Sequence, residues 1–221
     1  TMEHLLMGYD VSSLGRSPFT SVEICLQEYH NPAWNFKVWL VPGISTFVGG
    51  DIVAGLYALG LFAAKASEVR EKSKKARPAA LLIDLGTNGE MAITDGQRMV
   101  VTATAAGPAF EGDGTMMGTD RIALTAQLLR RGILDETGLM EEPYFTEGVR
   151  IEGAAMGKQI KSNCYFKQKD VRGLQMAKSA IRAGVEILWE EMGCPWIEKV
   201  FLAGGFGYYR DVEAAVAVGL L

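Results

Sequence analysis

The feature that most constrains the fold is residues 81–93, which read Leu-Leu-Ile-Asp-Leu-Gly-Thr-Asn-Gly-Glu-Met-Ala-Ile. Residues 81–84 form a short apolar run that ends in the carboxylate of Asp84, and a second run begins at Glu90. Apolar runs of this length, bounded by turn-forming residues, indicate strands buried on both faces. Glycine lets a backbone approach a ligand closely and adopt a positive φ. We therefore expect two strands joined by a tight, glycine-rich turn.

That turn carries groups suited to phosphate and magnesium. Gly86 and Gly89 supply backbone N–H groups, Thr87 a hydroxyl and Asn88 an amide. Backbone N–H groups bind phosphate oxygens, and a carboxylate at Asp84 can hold a magnesium ion directly or through water. An ordinary hairpin with a glycine-rich turn explains the same residues, so both interpretations stay open at this point.

Composition excludes several classes of protein. A chain of 221 residues that is 48% hydrophobic and 22% charged can bury a core as one large domain or two small ones. Its net charge of −4 argues against nucleic acid or an anionic membrane as the main partner. Cys25, Cys164 and Cys194 have no zinc or iron–sulfur spacing. The most apolar run, residues 52–64, is too short to span a bilayer, and no signal peptide is visible, so we expect a cytoplasmic protein with reduced thiols.

The N-terminal part predicts few elements before a boundary at Pro78. A strand is expected at 37–41 and a helix at 52–66, with Asp51 at the position of an N-cap. The basic stretch 65–77 is interpreted as a solvated helix end and linker, with an anion-binding patch as the alternative. Residues 1–7 indicate a helix without a cap and residues 219–221 end the chain on apolar side chains, so we expect both ends to be truncated.

The second part alternates strands with helices, which predicts an α/β sheet. Asp95-Gly96 is a strong hairpin signal, and an apolar stripe marks one long helix whose Lys178 and Arg182 lie off the stripe and are expected to be solvated. The loop at 105–114 fits either a ligand site or a bare surface loop. The predicted elements are strands at 90–94, 98–104, 149–151 and 200–203, and helices at 122–131, 170–192 and from about 211.

Two glycine-rich corners follow predicted strands, one after residue 83 and one after residue 203. Ligands of α/β sheets bind at the carboxyl ends of strands. The first corner would hold phosphate, and the second would let an adenine ring lie against bare backbone. We therefore expect the two corners to face each other across a gap the size of a nucleotide.

These two corners resemble the phosphate and adenosine motifs of the superfamily of acetate and sugar kinases, heat-shock chaperones and actin. The chain also resembles the C-terminal ATPase region of the reductive activators of corrinoid proteins, through residues 47–55, 82–90, 105–112, 168–172, 177–184 and 202–207. The resemblance implies an α/β fold: an actin-like (ribonuclease H-like) ATPase lobe with a mixed sheet flanked by helices, at residues 78–221. Residues 1–77 would then be the tail of a preceding, incomplete lobe.

The resemblance implies a function as well. Such activators use ATP hydrolysis to drive one electron onto cob(II)alamin, which restores the cob(I)alamin that methyltransferases need. ATP, Mg²⁺ and a corrinoid protein are thus the implied cofactors and partner, and whether a homodimer forms is left open. A two-iron two-sulfur cluster is implied only for an N-terminal domain outside this chain, and a first phosphate motif is expected upstream of residue 1. Residues 135–164 depart from the family in length and polarity.

The resemblance also implies roles for single residues. Asp84 would hold magnesium. Asp51 resembles the acid that sugar kinases use as a base and would orient water, with helix capping as its alternative. Glu90 either supports the site or is solvated, and Glu111 would line the nucleotide or the corrinoid side of the cleft. The implied nucleotide-binding residues are Gly86, Thr87, Asn88, Gly89, Glu90, Gly107, Glu111, Gly204, Gly205, Phe206 and Gly207.

Two other functions remain compatible with the sequence. A small-molecule kinase of the same superfamily would need an acceptor pocket and an intact base. A non-catalytic module that docks a partner would bind nucleotide weakly or not at all, because half of the phosphate cradle would be missing. Enzyme activity is therefore expected of the full-length parent and left open for this chain.

Overall fold

The structure is a computed structural model. It describes residues 2–22, 28–31, 36–61, 78–110, 116–151, 154–155, 158–159, 164–204 and 212–220. The chain divides into two compact units: the first comprises residues 1–82, 90–103 and 188–201, and the second comprises residues 83–89, 104–187 and 202–221. Four strands, at 79–85, 89–94, 99–104 and 197–203, contribute residues to both units. The predicted boundary near Pro78 stays a prediction.

The described helices are α1 Met2–Leu6, α2 Gly50–Ala58, α3 Gly118–Arg130, α4 Tyr144–Glu147, α5 Gln168–Glu191 and α6 Val212–Ala217. The described strands are β1 Glu28–Asn31, β2 Phe36–Trp39, β3 Ala79–Leu85, β4 Gly89–Thr94, β5 Met99–Thr104, β6 Val149–Arg150, β7 Ala154–Ala155, β8 Lys158–Gln159, β9 Tyr165–Phe166 and β10 Ile197–Ala203. In the part of the chain that the structure describes, every helix is too short or too polar to cross a bilayer.

The main sheet has four strands in the order β10, β3, β4, β5. Only three residues join β3 to β4 and four join β4 to β5, so these neighbours are antiparallel, since a parallel pair would need a long crossover. Residues 81–83 and 85 of β3 are buried, as the apolar run that begins at residue 81 predicts. The hairpin predicted at Asp95-Gly96 is confirmed: Gly96 has φ +82°, and the Asp95 N–H donates to Arg98 O at 3.3 Å.

Helix α2 begins earlier and ends earlier than predicted. Gly49 is its N-cap, so the helix starts at Gly50 rather than at residue 52. At the other end, the N–H of Gly60 donates to Tyr57 O, and Gly60 adopts φ +67°. A glycine in this left-handed conformation closes a helix by turning the chain away from its axis. Residues 62–66 of the predicted helix lie outside the described residues.

The second unit is organised along α5, whose predicted apolar stripe is confirmed. Val171, Leu174, Ala177 and Ile181 are all buried. Val171, at the start of this stripe, joins a core of Met116, Leu128, Ile133, Leu134, Met140 and Phe166. The structure places α4 and two short antiparallel pairs, β6 with β9 and β7 with β8, between α3 and α5. The strand predicted at 149–151 corresponds to β6.

Candidate functional site

Asp84 lies in β3 of the second unit, one residue before the strand ends. The sequence predicts that the strand stops at this carboxylate, and the structure extends it to Leu85. The residue is half-buried, between two fully buried neighbours, Ile83 and Leu85. Alternation along a strand explains this pattern, because successive side chains point to opposite faces of the sheet. Asp84 is therefore held by a rigid element at the edge of the glycine-rich turn.

Gly204 packs directly against Asp84. It follows β10, has φ +85°, and leaves so little space that a β-carbon built on it would overlap the Oδ1 atom of Asp84. The same β-carbon would lie 2.7 Å from Leu85 O and 3.2 Å from Leu85 N. Only glycine satisfies both the positive φ and this close approach. The structure thus places Gly204, the first residue of the second corner, in direct contact with the strand that leads into the first corner. The rest of the second corner, residues 205–207, lies outside the described residues, so the predicted nucleotide-sized gap stays a prediction.

The turn after β3 exposes its two polar side chains. Thr87 and Asn88 are both exposed, which leaves a hydroxyl and an amide accessible from solvent. The N–H of Gly86, in contrast, already donates to Asn88 O at 2.9 Å and helps to close the turn. The side chains at 87 and 88 are therefore better placed than the Gly86 N–H to meet a ligand.

Gly89 is buried under α5. A β-carbon at this position would overlap the terminal methyl of Ile181 and would lie 3.0 Å from Thr104 Oγ1. The Thr104 hydroxyl lies 3.4 Å from Gly89 O, to which it donates. Close packing of a helix on the turn therefore requires glycine here. The resemblance implies that Gly89 binds phosphate, and the structure gives the same glycine a packing reason.

The loop after β5 contains Gly107, which has φ +75° and open space around the position of its missing side chain. The loop leads to a short 3-10 helix at Pro108–Phe110. The backbone of Phe110 meets Gly118 at the start of α3, where a β-carbon would lie 2.7 Å from Phe110 Cα. Gly118, which is needed for this contact, is not among the residues predicted from the sequence, and the predicted start of α3 at residue 122 is four residues too late. The sequence signal that was available is Asp120, an acid in the first turn of α3, whose Oδ2 accepts the N–H of Met117 at 3.3 Å.

Asp51 belongs to the first unit and lies in the first turn of α2. It is not the N-cap that the sequence predicts, because Gly49 holds that position and makes no side-chain capping bond. The Asp51 carboxylate instead accepts the N–H of Ile52 at 2.8 Å. Asp51 is exposed on the wall of a cavity of about 590 Å³, whose polar lining includes Ser21, Ser45 and Thr46. A carboxylate near the helix N-terminus is favourable in either role.

The remaining predicted residues are only partly described. Glu90 is half-buried in β4. Glu111, Gly205, Phe206 and Gly207 lie outside the described residues, so their roles stay predictions. Of the predicted adenosine corner, the structure describes only Gly204.

Two family models match the chain. The C-terminal domain of RACo, the ASKHA domain, matches residues 78–121 and 114–221, and the RACo middle region matches residues 1–64. The chain is 30% identical to the corrinoid activation enzyme RamQ of Eubacterium limosum, over all of this chain and 44% of RamQ. It is 28% identical to the [Co(II) methylated amine-specific corrinoid protein] reductase of Methanosarcina barkeri, over 63% of this chain and 34% of that protein.

A solved structure is also similar. The structure of a reductive activator for corrinoid,iron-sulfur protein matches with a TM-score of 0.76 and 27% identity, over all of this chain and 41% of that one. The chain therefore spans less than half the length of each of these relatives. The actin-like α/β fold that the sequence predicts is confirmed by this neighbour and by the ASKHA match. Because the ASKHA model covers well over half of the chain, the chain belongs to the RACo family.

Proposed function

We propose that this chain is the ATP-binding region of a reductive activase, which uses ATP hydrolysis to drive the one-electron reduction of cob(II)alamin to cob(I)alamin on a corrinoid protein. The named relatives act on corrinoid proteins, and the family match extends across the chain. The rest of such an activase, including an iron–sulfur domain that delivers the electron, would come from sequence beyond these residues.

One observation carries the proposal: the contact of Gly204 with Asp84 and Leu85. It joins the strand with the candidate magnesium ligand to the start of the candidate adenosine corner. A nucleotide needs its phosphates and its adenosine held by neighbouring backbones, and this contact supplies such a junction inside one unit.

The residues present fit magnesium and phosphate. Among the described residues there is no cluster of three or more His, Cys, Asp or Glu side chains that could enclose a metal. Magnesium does not need one, since it is usually held by one or two carboxylates together with waters and substrate phosphates. Asp84 would take that role, and the exposed Thr87 and Asn88 would contact phosphate oxygens. Bound magnesium would supply charge neutralisation at the phosphates.

The protein's own contribution to hydrolysis is positioning. Phosphoryl transfer leaves little covalent chemistry to the enzyme, so rigid placement of a few donors accounts for much of the catalysis. β3 fixes Asp84, Ile181 fixes the end of the turn at Gly89, and Gly204 fixes the approach of the second corner. We propose that nucleotide binding stabilises one arrangement of these elements and thereby changes the surface offered to the corrinoid protein.

Such a population shift can drive an electron uphill. In a one-electron couple, about 59 mV corresponds to a tenfold change in the equilibrium constant. An activator that binds the cobalt centre more tightly in its reduced or reduction-ready coordination shifts the equilibrium towards the reduced form. The equilibrium constant changes by the ratio of the two binding affinities. The electron comes from the reductant through the iron–sulfur domain of the full-length protein, and cobalt changes from Co(II) to Co(I).

The test uses the full-length protein with its corrinoid protein, a reductant and MgATP. Asp84→Asn keeps the shape of the side chain and removes its charge, so we expect it to abolish the ATP-dependent formation of cob(I)alamin. The absorbance of cob(I)alamin measures this formation. Glu136→Gln is the matched control, because Glu136 is an exposed acid of the same unit. Undiminished ATP turnover in Asp84→Asn would overturn the role of Asp84. Absence of MgATP binding by the wild-type protein in calorimetry would overturn the proposed function.

A small-molecule kinase is the second candidate, and one observation favours it. Asp51, which resembles the acid that sugar kinases use as a base, is exposed on the wall of the polar 590 Å³ cavity. A hydroxylated acceptor would find hydroxyl groups at Ser21, Ser45 and Thr46 there. Transfer of labelled γ-phosphate from ATP to a metabolite pool, lost in Asp51→Asn, would support the kinase over the activase.

A further inference from the structure

Helix α5 carries a second row of apolar residues, on a different side from its buried stripe. Met176, Ala180, Ala183 and Ile187 are spaced by four, three and four residues, which places them along one side of this continuous helix. Met176 is 75% exposed and Ile187 is 56% exposed, while Ala183 is exposed and Ala180 half-buried. These four residues form the outer stripe of α5.

The outer stripe indicates a second helix as its partner. α5 already packs on the core through its buried stripe, which includes Val171, Leu174 and Ile181. Single exposed apolar residues are ordinary on a protein surface, but a row of them in helical register presents one continuous apolar surface. Spacing by four and three residues is that of the positions through which two helices pack along each other in a coiled coil.

The outer stripe is symmetric about its midpoint. Ala180 and Ala183, in the middle, carry only methyl groups, and the larger Met176 and Ile187 lie at the two ends. Two helix axes approach most closely where the side chains between them are small, and larger side chains can pack on either side of that point. A surface with this symmetry is complementary to a copy of itself that is rotated by a two-fold axis.

The charges at the two ends of α5 select an antiparallel copy. Lys169 and Arg172 lie before the outer stripe and Glu190 and Glu191 lie after it, and all four are exposed. This order is unfavourable for α5 itself, because a helix N-terminus carries a partial positive charge and its C-terminus a partial negative charge. In a parallel pair of helices, like charges would meet at both ends. In an antiparallel pair, the basic end of each helix faces the acidic end of the other.

We propose that the outer stripe of α5 is a dimerisation surface, on which α5 of a second copy of this chain packs antiparallel. Each contact then occurs twice, once on either side of the two-fold axis. The facing residues, one from each copy, are Ala180 with Ala183, Met176 with Ile187, and Arg172 with Glu191.

Arg172 has hydrogen-bond donors left for Glu191 of the second copy. In the described part of the chain, its Nη1 donates to Gln175 Oε1 at 2.6 Å and to Thr137 O at 3.3 Å. A guanidinium has five N–H donors in a planar fork, so those on Nε and Nη2 stay available to a carboxylate. The two existing bonds also restrict the side chain before the copy arrives, which lowers the entropy that dimerisation costs.

The test measures the mass of the full-length protein by sedimentation over a range of concentrations, without nucleotide, and we expect a dimer. Ile187→Glu places a charge in the outer stripe and removes an apolar contact that occurs twice, so the dissociation constant of the dimer should rise about tenfold or more. Met176→Glu should weaken the dimer in the same way. Val216→Glu is the matched control and should leave the dissociation constant unchanged, because Val216 is also 56% exposed but belongs to α6. The unfolding midpoint of each variant checks that the fold is kept.

An exchange of charges tests the antiparallel register. Arg172→Glu sets two acids against each other at both ends of the contact and should raise the dissociation constant severalfold, as should Glu191→Arg. The double variant reverses each pair without removing it, so it should return to the wild-type dissociation constant. A double variant no tighter than the two single variants overturns this register.

Other outcomes assign the outer stripe differently. A wild-type protein that is monomeric at every concentration overturns the proposal. A monomer that loses its binding to the corrinoid protein in Ile187→Glu would assign the stripe to that partner instead. A wild-type dimer that Ile187→Glu and Met176→Glu leave intact assembles through another surface, and this result also overturns the proposal. Since no readout involves ATP, failure of the nucleotide function would leave each of these results interpretable.

Discussion

The terminal methyl of Ile181 occupies the space into which any side chain at Gly89 would have to grow. Ile181 belongs to the buried stripe of α5, and Gly89 is the first residue of β4. A long helix thus packs on the end of the glycine-rich turn with no space for a methyl group. Because packed interiors leave few voids, this contact determines how near the turn can lie to α5.

Replacement of Gly89 by alanine is therefore expected to destabilise the protein. The added methyl would have to displace Ile181 or Thr104, and overpacking of this kind costs about 1–3 kcal/mol in the free energy of unfolding. Urea denaturation measures the loss. Gly173→Ala is the matched control, since Gly173 lies inside α5 and a β-carbon there meets nothing within 4 Å. Alanine at 173 should stabilise the helix by about 0.5–1 kcal/mol. Equal effects of both changes would contradict the packing role of Gly89.

The sequence predicted the elements whose signals are local. The Asp95-Gly96 hairpin follows from turn chemistry between neighbouring strands, and α5 follows from an apolar stripe repeated over six turns. Both patterns are contained in consecutive residues, so no distant contact is needed to recognise them. The start of α3 was missed because it depends on Gly118 packing against the backbone of Phe110, which lies eight residues earlier.

The residues of the candidate site and of α5 likewise fall into those with local sequence signals and those whose contacts are distant in sequence. Asp84 and the turn at 86–89 were recognisable because strand and turn residues follow one another directly. Lys178 was interpreted as lying off the apolar stripe and solvated, but it is seven residues from both Val171 and Val185, so helical spacing places it on the face of the stripe, and it is half-buried. Its partner, Val218 O, is forty residues away in sequence, and periodicity does not show which carbonyl lies beside a residue on that face. The two reasons for glycine at 204, its φ and its contact with Asp84, likewise required coordinates.

Gln168 joins the start of α5 to the loop before α4. Its Oε1 accepts the N–H of Met140 at 2.8 Å, and its Nε2 donates to Gly138 O at 2.6 Å. Gln168→Ala would leave both backbone groups without this partner, and we expect a loss of about 1–3 kcal/mol in the free energy of unfolding. Gln168→Glu is the informative control, because a carboxylate accepts from Met140 but cannot donate to Gly138. Its stability should fall between those of the wild type and Gln168→Ala in urea denaturation.

The carboxyl group of Asp135 makes the stability of the folded protein depend on pH in the acid range. The N–H of Leu139 and the hydroxyl of Thr137 donate to its Oδ1 at 2.8 and 2.7 Å, and they lower the pKa of this carboxyl from its ordinary value of 3.8. A carboxyl with a lowered pKa in the folded state contributes stability above pH 3.8, and this contribution is lost as the pH falls through the lowered value. Denaturation midpoints of the wild type and Asp135→Asn should therefore differ at pH 7, and the difference should shrink as the pH falls from 3.8 through the lowered pKa. A difference that is constant with pH would show that the charge of Asp135 is not involved.

Gly204→Ala is expected to disrupt the contact between the two corners. The substitution combines a strained positive φ with a β-carbon that overlaps Asp84 Oδ1 and lies 2.7 Å from Leu85 O. Gly96→Ala separates the two effects, because Gly96 has φ +82° but open space around its missing side chain. A non-glycine residue at such a φ costs about 1–3 kcal/mol, so Gly96→Ala should lower the stability and leave the affinity for MgATP unchanged. Gly204→Ala should lose more stability and also its affinity for MgATP in calorimetry. If both variants lose the same stability and both retain wild-type affinity, the approach of Gly204 to Asp84 has no part in the nucleotide site.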